Sequence, residues 1–167
     1  MNNKILFTEN QQFRQVWLWV ILIGVNTITI IGAYRHISGG KAFGSPFITG
    51  NIFTLVLILL VTALIFIVRL ETTIKQDGIY IRFYPFHIKE KKYTWDTVAE
   101  ASVRKYSPIL EYGGWGIRRG MSGKGSAYNI SGNMGIQLLF KSGEKLLIGT
   151  QKPDEVTAIL HQIRSND

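Results

Sequence analysis

The chain has 167 residues, a net charge of +8 and no cysteine, which excludes a disulfide framework, a thiolate nucleophile and a cysteine metal site. The charge is divided evenly, with +4 in residues 1–70 and +4 in residues 71–167. Because nucleic-acid-binding proteins concentrate positive charge on one face or segment, we expect no nucleic-acid partner. The even basic bias is typical of segments that stay in the cytoplasm beside anionic lipid.

Two long apolar segments come first in the chain. Residues 16–33 carry no charge, and residues 52–68 are interrupted by only two threonines. At a rise of about 1.5 Å per residue, each segment covers about 26 Å, close to the thickness of the hydrocarbon core of a bilayer. The alternative, a buried helix of a soluble protein, is rarely apolar on every face. We therefore predict two membrane spans, at about residues 16–34 and 49–69, with the lipid bilayer as a partner.

The two spans are expected to form a hairpin, because residues 35–46 between them are too few for a domain. Both termini then lie on one side of the membrane. Lys and Arg near the outer ends of the spans outnumber those in the loop. The outer set is Lys4, Arg14, Arg69, Lys75 and Arg82, and the loop set is Arg35 and Lys41. By the positive-inside rule, we expect a multi-pass protein with both termini in the cytoplasm.

Polar groups are few within the spans. Asn26 is suited to bond across to Thr62 or to another copy of the chain, and neither apolar run contains Asp, Glu, Lys, Arg or His. Because proton relays and ion pathways need such groups, the sequence favours a plain anchor over a transporter. We assign residues 1–70 to an N-terminal segment and a two-helix membrane anchor, and residues 71–167 to one cytoplasmic domain.

The pattern of the remaining chain predicts a mainly β domain. Apolar and polar residues alternate after Arg69, and Asp77-Gly78 is typical of a two-residue hairpin turn. The predicted strands are residues 70–76, 79–84, 87–93, 98–107, 114–118, 127–130, 135–141 and 145–149. The strand at 87–93 is expected at an exposed edge because many of its residues are basic. Pro153 and two acidic residues then open a helix with an apolar stripe, since proline and carboxylates favour helix N-termini.

About seven strands followed by one amphipathic helix is the order of a pleckstrin-homology-like sandwich or barrel. The stretches YGGWGIR, at residues 112–118, and LIGTQKPDE, at residues 147–155, resemble parts of small bacterial membrane proteins of unknown function. Those proteins place two transmembrane helices before a bacterial pleckstrin-homology-like domain. The resemblance implies this architecture over nearly the whole chain, and the bacterial cytoplasmic (inner) membrane as its location.

One departure from the wider fold concerns lipid binding. Its phosphoinositide-binding members hold the headgroup with basic residues in a long loop between their first and second strands. Here the predicted loop is Asp77-Gly78, which is tight and acidic. We therefore expect the usual lipid site of the fold to be missing.

The sequence contains no convincing pattern of catalytic residues. Residues 120–126, GMSGKGS, contain the Gly-Lys pair of a phosphate-binding loop at Gly123 and Lys124. The loop would also need glycine at position 118, which is Arg118, and Ser or Thr at position 125, which is Gly125. The three histidines lie in different segments without ligand spacing, and no set of Ser, His and Asp is apparent. We expect no catalytic residue, no metal, no cofactor and no enzymatic activity.

The candidate binding residues are Trp115, Arg118, Arg119 and Lys124, which lie in a glycine-rich segment. An aromatic anchor with arginines on a flexible loop is suited to gripping an anion or a carboxylate. The alternative is a solvated hairpin tip whose Trp115 packs back on the core.

These features predict a binding or scaffolding module for a protein partner or for self-assembly, since the fold offers sheet edges and a groove beside its helix. The alternative function is a sensor of anionic lipid headgroups through Arg118, Arg119 and Lys124. A third candidate is a non-catalytic subunit of an enzyme or transporter, whose chemistry would come from a partner chain.

Overall fold

The computed structural model describes residues 4–39, 46–120 and 123–165. The chain divides into two compact units. One unit is helical and comprises Arg14–Ile67, and the other is mostly β and comprises Met1–Phe13 together with Val68–Asp167. The sequence-based boundary at residue 70 grouped the N-terminal segment with the membrane anchor, whereas the structure places that segment in the β unit.

The helical unit contains α1 (Val16–Ser38) and α2 (Pro46–Ile67). Asn26 Nδ2 of α1 donates a hydrogen bond to Thr62 Oγ1 of α2 at 3.0 Å, which confirms the predicted contact between these residues. Both helices are long and apolar enough to cross a membrane. Helix α1 continues four residues past the predicted end of the first span at residue 34. Most of the remaining predicted loop, residues 40–45, lies outside the described residues.

The first sheet of the β unit is a four-stranded antiparallel meander. Its strands in spatial order are β1 (Ile5–Gln12), β2 (Arg69–Lys75), β3 (Gly78–Tyr84) and β4 (Lys91–Thr94). The sequence pattern did not predict β1. In the chain, β1 precedes α1 and its partner β2 follows α2. The first sheet therefore combines strands from before and after the two helices.

Strand β1 is held by side-chain hydrogen bonds as well as by its backbone pairing. Its buried side chains are Phe7, Glu9 and Gln11. The Glu9 carboxylate, 5% exposed, accepts hydrogen bonds from the Thr150 hydroxyl and from the following backbone N–H, both at 2.7 Å. Gln11 Nε2 donates to the Gly149 carbonyl oxygen at 2.7 Å. Because two of the three buried side chains are polar, the apolar alternation that identifies strands is missing here.

The presence of β1 changes the order of the strands. Gln76 and Asp77 connect the second and third strands, one residue earlier than the predicted turn, and the segment between the first and second strands contains α1 and α2. The expectation about the lipid site was therefore drawn from the wrong loop. A glycine is still required at position 78, since a Cβ there would collide with the Tyr93 carbonyl oxygen on β4. The predicted strand at 87–93 is also shorter than expected and begins at Lys91.

The second sheet has five strands. In spatial order they are β5 (Val98–Lys105), β8 (Met134–Phe140), β9 (Lys145–Gly149), β7 (Ser126–Asn129) and β6 (Gly116–Arg119). Neighbouring strands are antiparallel except β7 and β9, which are parallel. The prediction of a mainly β domain is confirmed, with nine strands among the described residues in place of about seven. The two sheets do not close into a barrel within the described part of the chain.

Two α-helices and a short 3₁₀ helix, Trp95–Thr97, complete the described part of the β unit. Helix α3 (Pro108–Tyr112) lies between β5 and β6 and was not predicted. The Ser107 hydroxyl caps it by accepting a hydrogen bond from Leu110 N at 3.4 Å, and Gly113 ends it in the left-handed conformation with φ of 70°. Helix α4 (Pro153–Arg164) is the C-terminal helix that the sequence predicted.

The core lies between the two sheets and is covered by α4. Its largest buried side chains come mainly from alternate positions of four strands, as a period of two requires. They are Leu70, Ile74, Ile79, Ile81, Phe83, Ile136, Leu138 and Ile148. Val156 of α4 is fully buried in this cluster. Burial of each such side chain contributes about 2 kcal/mol, so the apolar stripe fixes α4 to the sheets.

Replacing Glu9 by alanine is expected to destabilise the β unit by about 2 kcal/mol, because a buried hydroxyl and a backbone N–H lose their acceptor. Asn10→Ala is the matched control, since Asn10 is the exposed neighbour on the same strand. Urea unfolding of the full chain in detergent micelles, followed by tryptophan fluorescence, measures the difference. Equal unfolding midpoints for the two variants would contradict the role assigned to Glu9.

Candidate functional site

Strand β5 lies at one edge of the five-stranded sheet. Within the described part of the chain it pairs with β8 alone. In an antiparallel strand, about half of the backbone N–H and C=O groups point away from the paired neighbour. Strand β5 therefore presents a row of backbone donors and acceptors along its outer side, and such an edge is able to accept a further strand.

Helix α4 packs beside β5 and is amphipathic. Ile159, Leu160 and Ile163 pack on the core but are only partly buried, so α4 retains apolar surface. The polar residues on the side of α4 that faces β5 are exposed. They are Thr157, His161 and Arg164.

A groove separates β5 from α4, and we call it the β5–α4 groove. Its main cavity has a volume of about 200 Å³, and a second cavity of about 120 Å³ adjoins it, since the two share four lining residues. The main cavity is lined by Glu100, Ala101, Ser102 and Val103 of β5 and by Thr157, Leu160, His161 and Arg164 of α4. Ala101, Val103 and Leu160 also pack against the core, so the floor is apolar and the rim is polar. This arrangement suits an extended peptide with alternating side chains.

Two of the residues singled out from the sequence, Trp115 and Arg118, contact one another near the start of β6. Arg118 Nε donates a hydrogen bond to the Trp115 carbonyl oxygen at 3.0 Å. Trp115 Nε1 donates to the Gly132 carbonyl oxygen at 3.1 Å, and the side chain is half-buried. Trp115 therefore ties β6 to the turn that precedes β8.

The other two predicted residues lie towards the opposite end of β6. Arg119 lines a separate cavity of about 350 Å³ together with Tyr93. Burial raises the pKa of Tyr93 to about 12, so its hydroxyl is uncharged at neutral pH. Lys124 Nζ lies 3.9 Å from Glu111 Oε2 and does not line this cavity. The four predicted residues therefore do not converge on one site, and residues 121–122 of the predicted loop lie outside the described residues.

A network of hydrogen bonds connects β5 to α3. Arg104 donates from its two terminal nitrogens to the two carboxylate oxygens of Glu111, at 3.3 and 2.9 Å, and from Nε to Gln137 Oε1 at 3.0 Å. Glu111 Oε1 also accepts from Ser107 N at 2.8 Å. The hydrogen bonds from Arg104, and then from Ser107, hold the pKa of Glu111 below its usual range. None of these residues lines the β5–α4 groove, so the network braces the end of β5 without entering the candidate site.

Sequence reasoning did not find the β5–α4 groove. An edge position is not a local property, because β5 pairs with β8 while α3, β6 and β7 come between these strands in the chain. The sequence feature that points to the groove is the apolar stripe of α4. Val156 alone is fully buried among its members, and the partly exposed Leu160 and Ile163 reach the groove.

No family model matches the chain, and no curated protein is significantly similar to it. Among the described residues, no group of three or more His, Asp or Glu side chains is placed to hold a metal ion. The structure thus defines a chain with two helices able to cross a membrane and a β domain with a groove beside a free strand edge.

Replacing Glu111 by glutamine is expected to lower the stability of the β unit by about 1 kcal/mol at neutral pH, because the ionic hydrogen bonds from Arg104 are weakened. Since the pKa of Glu111 is lower in the folded state, this contribution is present above its usual value of 4.5 and is lost as the pH falls through the folded value. Unfolding midpoints measured between pH 7 and about pH 3 test this, with the exposed Glu144→Gln as control. A difference from wild type that persists unchanged at the lowest pH would contradict the assignment.

Proposed function

We propose that this protein is a membrane-anchored binding module whose pleckstrin-homology-like domain takes up an extended segment of a protein partner along β5. The observation that carries the proposal is the unpaired edge of β5 beside an apolar groove formed with α4. A peptide added as a strand forms hydrogen bonds with the outward-facing backbone groups of β5, and its side chains occupy the groove.

The topology supports the pleckstrin-homology-like assignment. When β6 and β7 are treated as an insertion between β5 and β8, seven strands remain in sheets of four and three strands, followed by α4. This is the order expected from the resemblance to small bacterial membrane proteins. On this assignment, α1 and α2 occupy the loop between the first and second strands, where other members of the wider fold carry their headgroup-binding loop.

Strand pairing supports the membrane anchor. Strand β1 precedes α1, strand β2 follows α2, and the two strands are hydrogen-bonded neighbours. If α1 and α2 span a bilayer, such neighbours must lie on the same side of it, which requires an even number of crossings. Two antiparallel spans meet this requirement, and the distribution of Lys and Arg favours the cytoplasmic side.

The construction of the groove favours strand addition. Backbone groups of β5 supply affinity without selecting a particular sequence, while the groove selects alternate side chains of the bound segment. Glu100 and Arg164 at the rim offer one charge of each sign. A second copy of the chain is the less favoured occupant, because a net charge of +8 per copy opposes self-association.

A photo-crosslinking residue at Ser102 in native membranes tests the proposed function. We expect one discrete adduct with another protein, because Ser102 lines the groove. The substitution Thr157→Trp fills the groove and is expected to lower the yield of this adduct about tenfold, equivalent to about 1.4 kcal/mol of binding free energy. Gln162→Trp is the matched control, since Gln162 is exposed on the same helix and does not line the groove.

An adduct whose yield is unchanged by Thr157→Trp would contradict binding in the groove, and so would the absence of any adduct. An adduct with a second copy that Thr157→Trp removes would replace the protein partner by self-assembly through the same edge.

A further inference from the structure

The two chain connections to the helices leave the four-stranded sheet at the same end. Gln12 of β1 pairs with Arg69 of β2, and Arg69 pairs with Tyr84 of β3. Helix α1 begins at Val16, four residues after Gln12, and α2 ends at Ile67, two residues before Arg69. Tyr84 and the turn that follows β3 therefore lie at the end of the sheet where both connections begin.

The turn after β3 exposes apolar side chains at this end. Phe86 is 58% exposed and Ile88 is 83% exposed, the largest exposed fraction of any large hydrophobic residue in the described chain. His87 between them is anchored inward. Its backbone N–H donates to the Phe83 carbonyl oxygen at 2.8 Å, and its ring packs edge-on against Tyr128, with centroids 5.3 Å apart. In this turn Ile88 points outward, while the Phe86 ring packs with one side on the buried Phe83 ring, with centroids 6.1 Å apart, and exposes the rest of its surface.

Positive charge accompanies these apolar side chains. Lys89 and Lys91 are exposed in the same segment, and Glu90 is the acidic residue between them. The Arg69 guanidinium lies 5.0 Å from the centre of the Tyr84 ring. Exposed apolar side chains flanked by lysines and an aromatic ring are typical of surfaces that bind the interface of an anionic bilayer.

We propose that residues 84–89, here called the interfacial loop, contact the surface of the bilayer that carries α1 and α2. Phe86 and Ile88 enter the headgroup region, and Lys89 lies among anionic headgroups. This inference rests on the membrane anchoring put forward under the proposed function. The β unit is then held at the bilayer at three points, which are the two chain connections and the interfacial loop.

Within the glycine-rich segment, Arg119 is less well placed than the interfacial loop for contact with the same bilayer. Arg119 pairs with Ser126, and Ser126 pairs with Leu146 near the start of β9. The last residue of β9, Gly149, instead accepts the hydrogen bond from Gln11, beside the chain connection to α1. At about 3.3 Å per residue, Arg119 lies roughly one strand length, about 10 Å, from that end. Arg119 is therefore a poorer candidate for a lipid contact than the interfacial loop.

Fluorescence quenching by lipid tests the proposal, and the absence of cysteine allows one introduced thiol to report one position. The full-length Ile88→Cys variant carries an environment-sensitive fluorophore in liposomes of phosphatidylcholine and phosphatidylglycerol. We expect nitroxide lipids with a headgroup-level spin label to quench it several-fold more strongly than the same label on Ile5→Cys. Ile5 is the matched control, since it is 58% exposed and pairs with Lys75 at the other end of the sheet. The same fluorophore on Ile23→Cys in α1 tests the membrane anchoring. If α1 lies in the bilayer, nitroxides placed deeper along the acyl chain quench the fluorescence at position 23.

Three outcomes are distinguishable. Quenching at positions 23 and 88 but not at position 5 supports the interfacial loop. Quenching at position 23 with equally weak quenching at positions 88 and 5 overturns the loop and leaves the anchoring in place. No quenching at position 23 overturns the anchoring on which the inference rests.

Discussion

The antiparallel pairing of β1 with β2 determines how the whole chain is organised. It joins two strands that are separated in the chain by both apolar helices. The entropic cost of closing a long loop grows only slowly with its length, and packing within the helical unit reduces this cost further. The rings of Trp19, near the start of α1, and Phe66, near the end of α2, meet with centroids 6.0 Å apart. The start of α1 and the end of α2 therefore lie side by side within the helical unit.

This pairing constrains what the β unit is able to do. It makes the segment before α1 an edge strand of the first sheet, while β5 forms one edge of the second sheet. The buried Glu9 carboxylate links β1 to the turn before α4, so the strand next to the helices and the helix beside the proposed peptide groove share one set of hydrogen bonds. On the proposed account, anchoring involves the first sheet, recognition involves the second sheet and α4, and side-chain hydrogen bonds of β1 connect the two.

Elements with strong local patterns were predictable from the sequence, and those that depend on distant partners were not. The polar pair Asn26 and Thr62 was found because few polar groups interrupt the spans. Strand β1 was missed because Glu9 and Gln11 occupy core-facing positions that a pattern search expects to be apolar. The candidate binding residues are of suitable chemical types, but the structure places Trp115 and Arg118 together and Arg119 and Lys124 elsewhere, since residue type does not reveal where strands pair. The groove was missed because the edge position of β5 follows only from the order of all five strands.

Disulfide formation between β1 and β2 is the decisive test of their pairing. Thr8 and Thr73 are register partners on these strands, neither side chain is buried, and the chain has no cysteine of its own. Cross-strand Cβ atoms lie about 5 Å apart, within reach of a disulfide after a small adjustment. Mild oxidation of the full-length variant T8C/T73C in liposomes is predicted to close this disulfide in most molecules, while the control T8C/S142C keeps its thiols free. Free thiols in both variants would contradict the pairing of β1 with β2.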